Sequence, residues 1–236
     1  MDFGTVLQIA SFAVQFLKIA TPIVEHLAPK LQESMKGFAE RMLVLSEKYP
    51  SLEEFSKVIN EAANIMGDVL FALGIDADSA GIMGAKVNKA EKGVQDFNSV
   101  EEYIHYLKNE IDMDKQEFDS LSQEEKMAYT VTGMAVGAEA IKEKLSVDLP
   151  VELVEMLGII ADAGLVVFDS KELVSLMTNL SDGLSSFDDL CDYFMGKGDS
   201  DRIKTGDIFL KALESIRPNE WNNVINEIKD LIRGKE

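Results

Sequence analysis

Apolar residues recur along nearly the whole chain at spacings of three and four, the period of a helix with one buried face. Over residues 3–20 the pattern is inverted. Gln8, Ser11, Gln15 and Lys18 form one narrow polar stripe, while Val6, Leu7, Ile9, Phe12, Val14, Phe16, Leu17 and Ile19 cover the rest. A helix this apolar is expected to be buried, in its own domain or against a partner. Thr21-Pro22 is read as the start of a new helix, since proline suits a first turn. Pro29 forces a break near residues 26–28. From Lys30 to Lys48, Leu31, Met35, Phe38, Met42 and Leu45 keep helical spacing. Pro50-Ser51 opens a helix that reaches Leu73, where Gly74 stops it.

Residues 74–98 differ, with Gly74, Gly81, Gly84 and Gly93 and few large apolar side chains. They read as a loop with one short helix. Beyond them Ser99 opens a helix to about Glu110, and Asp112–Ser120 holds a short turn or helix. Ser122-Gln-Glu-Glu125 is a capping box ahead of a run to Leu145. Further helices are expected from Pro150 to Ala163, from Asp169 or Ser170 to Leu180, from Ser185 or Ser186 to Met195, from Asp201 to Ile216, and from Pro218 to Arg233. Leu165–Phe168 is the one candidate strand. The pattern Ser, apolar, acid, acid, apolar occurs at Ser51–Phe55, Ser99–Tyr103 and Ser186–Leu190. Its uneven spacing argues against a repeat array, and helix capping with first-turn acids explains it.

The expected fold is therefore all-α, a multi-helix orthogonal or bundle-like arrangement of roughly ten helices. A three-part organisation fits the pattern: an apolar helical part over 1–75, a Gly-containing connection over 76–98, and an acidic helical part over 99–236. One continuous domain fits it as well.

Glycines inside helices carry a further expectation, because each costs about 1 kcal/mol relative to alanine and is kept where a backbone approaches closely. Gly133 and Gly137 lie in one helix, Gly158 and Gly164 in the next. These two helices are expected to cross tightly at the glycines.

Charge changes the picture more than composition does. The 236 residues carry 23 basic and 42 acidic side chains, a formal charge of −19. Residues 1–98 hold 9 and 13 of these, residues 99–236 hold 14 and 29, so −15 of the total lies in the last three-fifths. Such a surface repels nucleic acid and anionic membranes and steers basic partners toward it. Nucleic-acid binding is not expected, nor is membrane contact. The lone Cys191 excludes an internal disulfide and a thiolate zinc site, and fits a reducing, cytoplasmic setting. No signal-peptide pattern is visible, and the polar stripe of residues 3–20 makes a poor membrane span.

Candidate chemistry is sparse. Glu102-x-x-His105 has the spacing of a carboxylate-bridged di-iron helix, but no second pair exists. Asp76-Ala-Asp78-Ser-Ala80-Gly81 begins like a calcium loop and then places Ala80 and Val87 where oxygens are needed. Gly81-Ile-Met-Gly84-Ala-Lys86 lacks the spacing and hydroxyl of a phosphate loop, and no nucleophile elbow is present. No catalytic residue, metal or cofactor is expected.

What remains is acid mixed with aromatics. Glu101, Glu102, Asp112, Asp114, Asp188, Asp189 and Asp192 are the candidate partner-binding residues, with Tyr103, Tyr106, Phe118, Phe187, Tyr193 and Phe194 among them. Charges that steer and rings that anchor suit a basic protein surface, although helical spacing puts most of these rings in a core. The leading expectation is a non-enzymatic acidic protein that docks on a basic surface of another protein, a profile shared by inhibitors and immunity proteins. The alternatives are a peripheral membrane or secretion-associated protein using its N-terminal helix, and an enzyme assembled from dispersed Asp, Glu, Tyr and Lys.

Overall fold

The structure, a computed structural model, describes residues 3–146, 148–164, 169–184, 189–190, 193–194, 202–217 and 225–230, with residues 3–11 and 202–203 as backbone alone. It is all-α and bundle-like. The described helices are α1 (Phe3–Leu27), α2 (Glu33–Leu45), α3 (Leu52–Ala72), α4 (Ala80–Lys89), α5 (Val100–Glu110), α6 (Lys115–Asp119), α7 (Gln123–Leu145), α8 (Val151–Asp162), α9 (Ser170–Gly183) and α10 (Arg202–Ile216). Short 3-10 turns cover Ala28–Lys30, Ser46–Lys48 and Val94–Asp96. The candidate strand Leu165–Phe168 and most of the two remaining expected helices lie outside the described residues.

Local signals set the helix starts. Ser51 accepts a hydrogen bond from the Glu54 amide at 3.2 Å and Ser99 from the Glu102 amide at 3.1 Å, each relieving one unpaired first-turn donor. At Ser122 the exchange is reciprocal. The Glu125 amide donates to the Ser122 hydroxyl at 3.2 Å, while the Ser122 amide donates to the Glu125 carboxylate at 2.9 Å. The hydroxyl and amide of Ser122 hold the Glu125 carboxyl below its ordinary range. Ser122→Ala breaks this exchange and is expected to cost about 1 kcal/mol, seen as a lower urea midpoint with unchanged slope. Asp169 and Glu172 repeat the box at the start of α9.

Two expectations are corrected. Pro22 does not begin a helix; it lies inside α1, which runs unbroken to Leu27. Its ring is exposed, and the stripe Ala13, Phe16, Ala20, Val24 and Leu27 on the same helix is buried. Tertiary packing on that stripe outweighs the one hydrogen bond that proline removes. On the same helix Val14 and Ile19 remain 52% and 41% exposed.

The second correction concerns the glycines. Helices α7 and α8 do not cross each other there. Gly133 lies against the backbone of Ala80 in α4, Gly84 of α4 lies against the Tyr129 carbonyl in α7, and Gly158 of α8 lies against the Val58 carbonyl in α3. Two interlocked glycine notches thus set the α4–α7 crossing, and a third seats α8 on α3. Helix α4, within the segment expected as a connection, packs on α7 more extensively than any other described pair.

Helix α7 is the axis of the first half. Every residue from Met127 to Ala138 is buried, and α1, α2, α3, α4 and α5 surround it. Its two buried threonines return their hydroxyls to the helix, Thr130 to the Lys126 carbonyl and Thr132 to the Ala128 carbonyl, both at 2.9 Å. The second half builds outward from α3, which carries α8 and α9, with α10 on α9. A ring series joins the early elements: Phe12, Phe16, Phe55 and Tyr49 follow one another with centroids 6.0, 5.6 and 5.4 Å apart. One apolar cluster runs from Phe16 to Ile228.

Candidate functional site

The candidate acids do not converge on one site. Glu101 pairs with Lys144 near the end of α7 at 2.6 Å. Glu102 turns back to accept from the Asn98 amide and side chain, both at 3.0 Å. Asp114 caps α6, accepting from the Glu117 amide at 2.6 Å. Asp112 exposes its carboxylate, while its carbonyl accepts from the Lys89 ammonium at 3.1 Å. The first pair begins α5 and the second follows its end, a helix length of about 15 Å away. Asp189 is exposed; Asp188 and Asp192 lie outside the described residues. Three of the seven therefore serve helix starts or an internal ion pair.

The aromatic anchors are not free either. Tyr103 and Phe194 are fully buried. Phe97 packs on Tyr103 and Tyr106 at 5.4 and 5.0 Å, with the Lys92 ammonium 5.5 Å from the Tyr106 ring. Tyr106, Phe118 and Tyr193 are half-buried, and Phe187 lies outside the described residues.

The calcium-like and phosphate-like segments have structural employment. Asp76 pairs with Lys108, and Asp78 with Lys86 at 2.8 Å. Lys86 is buried in α4 and also donates to the Lys108 carbonyl at 3.0 Å, tying α4 to α5. His105 and Glu102 both sit exposed on α5. Among the described residues, no three His, Cys, Asp or Glu side chains gather as metal ligands.

No family model, curated protein or solved structure matches the chain. The chemistry of its own residues is what defines a site.

Two arrangements were not foreseen in the sequence. The first is a buried carboxylate. Glu155 of α8 accepts from the Tyr49 hydroxyl and the Lys48 ammonium, both at 3.0 Å, and only 8% of it is exposed. Burial, with the Glu155 carboxylate beside it, pushes the Tyr49 phenol far above the ordinary tyrosine range. The trio fastens the Ser46–Lys48 turn to α8.

The second is an apolar cavity of about 240 Å³ between α3, α8, α9 and α10. Met156, Leu176, Met177, Phe194, Phe209 and Leu213 form much of its wall. Its polar residues all come from one face of α3: Glu61, Asn64 and Asp68. Asn64 and Asp68 are exposed and Glu61 is half-buried, so the cavity opens along α3. Each wall is an ordinary amphipathic helix face, which explains why the cavity left no mark on the sequence.

Proposed function

We propose that this is a non-enzymatic acidic binding protein that docks on a basic surface of another protein in the cytoplasm, as inhibitors and immunity proteins do. The supporting observation is how its charges are spent. Lys86, Lys89, Lys108, Lys142 and Lys144 are engaged by acids of this chain. Glu110, Asp112 and Asp119 on the α5–α6 side are exposed and have no ion pair among the described residues. These acids outnumber the exposed Lys115 among them, and with a total charge of −19 the outward field is net negative, which raises the encounter rate of a cationic partner.

The triple reversal Glu110→Lys, Asp112→Lys and Asp119→Lys tests the reading without touching a cap or a buried pair. A partner captured from native lysate at low salt should associate with the variant on the order of tenfold more slowly. Its binding to the parent should weaken as salt shortens the screening length from roughly 10 Å toward 3 Å. Capture of no partner at either salt sinks the reading.

One observation favours a second reading. Val14 and Ile19 are exposed on α1, on either side of the exposed Gln15 and Lys18. Apolar side chains flanking a polar stripe suit engagement of a partner helix or a membrane surface. No helix among the described residues is long and apolar enough to cross a membrane. Flotation with liposomes, lost on Val14→Gln and Ile19→Gln, separates this reading from the first.

A further inference from the structure

Small molecules bind in mostly apolar clefts edged by a few convergent polar groups, and the cavity between α3, α8, α9 and α10 has that make-up. We propose that it binds a small cationic amphiphile, an apolar body of about ten carbon atoms ending in an ammonium. The size follows from the volume. An apolar cavity of roughly 150 Å³ stays dry and takes up benzene, and this one holds about 240 Å³. Met156 and Met177 in the wall can re-pack around different apolar shapes, because methionine is unbranched and polarisable.

The charge of the head follows from the mouth. Glu61, Asn64 and Asp68 are spaced three and four apart on α3 and so share its cavity-facing side. Neither carboxylate has a cation partner among the described residues. A cationic head would meet two carboxylates and an amide oxygen at the cavity edge. A fatty acid would bring a third negative charge there, on a protein already at −19. The inference concerns the isolated chain and is independent of the protein-docking reading.

The test is a calorimetric titration of the full chain at neutral pH with n-octylamine, with 1-octanol and octanoate as comparisons of equal length. Saturable binding of one octylamine per chain is expected, with octanoate at least about tenfold weaker. The surface pair Glu61→Gln and Asp68→Asn should bring octylamine to within about twofold of octanol. Filling the cavity with Leu176→Trp should abolish both. If that variant fails to fold, the surface pair still decides the matter. No saturable binding of octylamine overturns the proposal. Octanoate binding as tightly as octylamine, or an amine preference that survives the surface pair, overturns the assignment of the head group.

Discussion

Gly133→Ala and Gly84→Ala should each destabilise the fold by about 3 kcal/mol, the upper end of what overpacking costs. The reason is what the added methyl meets. At Gly133 it overlaps the Ala80 carbonyl, and at Gly84 it overlaps the Tyr129 carbonyl. Both are helical backbone, which cannot swing away as a side chain can. The α4–α7 crossing must open, and the most extensive pairing among the described helices goes with it. Gly137→Ala is the informative neighbour, since its methyl would meet the Met66 sulfur at 2.9 Å. A thioether can turn aside, so that change should cost far less. Gly37 of α2 has nothing within 4 Å of an added Cβ. Gly37→Ala should therefore gain up to about 1 kcal/mol from helix propensity. Because Gly84 and Gly133 serve one crossing, the double variant should lose less than the two single losses combined. Urea unfolding of the five variants beside the parent checks the series. Equal stability of Gly133→Ala and Gly37→Ala would falsify the notch account.

The same glycines show where sequence reading succeeds and where it stops. A glycine inside a long helix signals that a backbone comes close, because its cost must be offset by something. It does not say whose backbone. Gly133 and Gly158 belong to consecutive helices, yet their partners are Ala80 and Val58, in two different helices far back in the chain. Helix starts were legible for the opposite reason. At Ser51, Ser99, Ser122 and Asp169 the cap and the amide that donates to it are three residues apart, so the whole interaction lies within a short window. Pro22 misleads because its local preference for a first turn yields to the buried stripe of Ala20, Val24 and Leu27.

The site was less legible than the fold. Acidic charge is visible in any sequence, but its use is not. Asp114 and Glu102 look alike as letters to Asp112 and Glu110, yet the first two cap or brace helix starts while the second two are exposed without an ion pair among the described residues. The cavity was invisible altogether. Its wall runs from Glu61 to Ile228, drawn from faces that each read as ordinary core.

Alkaline pH should unfold this protein steeply, beginning just above the ordinary tyrosine pKa of about 10. Three phenols resist ionisation in the folded state. Burial raises Tyr49, with Glu155 adding to it; burial raises Tyr103, with Tyr106 and Asp96 adding to it; burial raises Tyr129, with Glu125 adding to it. A raised folded pKa means the folded state keeps a proton that the unfolded chain gives up. The stabilisation is therefore whole below the unfolded value and is lost as pH climbs toward the folded one. Tyr49 and Tyr103 alone give a slope of about 2.7 kcal/mol per pH unit in that window. At that rate a stability of about 5–8 kcal/mol is exhausted within about 2–3 units. Tyrosinate absorbance equivalent to three of the five tyrosines should rise together with the loss of helical circular dichroism. Ionisation of more than two tyrosines near pH 10 with helicity intact would show that these phenols titrate freely, against this account. Two variants separate the contributions. The Tyr103 hydroxyl is buried without a hydrogen-bond partner among the described residues. Tyr103→Phe should therefore be neutral or stabilising at pH 7 while making the alkaline transition shallower. Tyr49→Phe should also make it shallower, but at pH 7 it strips the buried Glu155 carboxylate of the 3.0 Å donor that Lys48 does not replace. It should cost about 1–3 kcal/mol there.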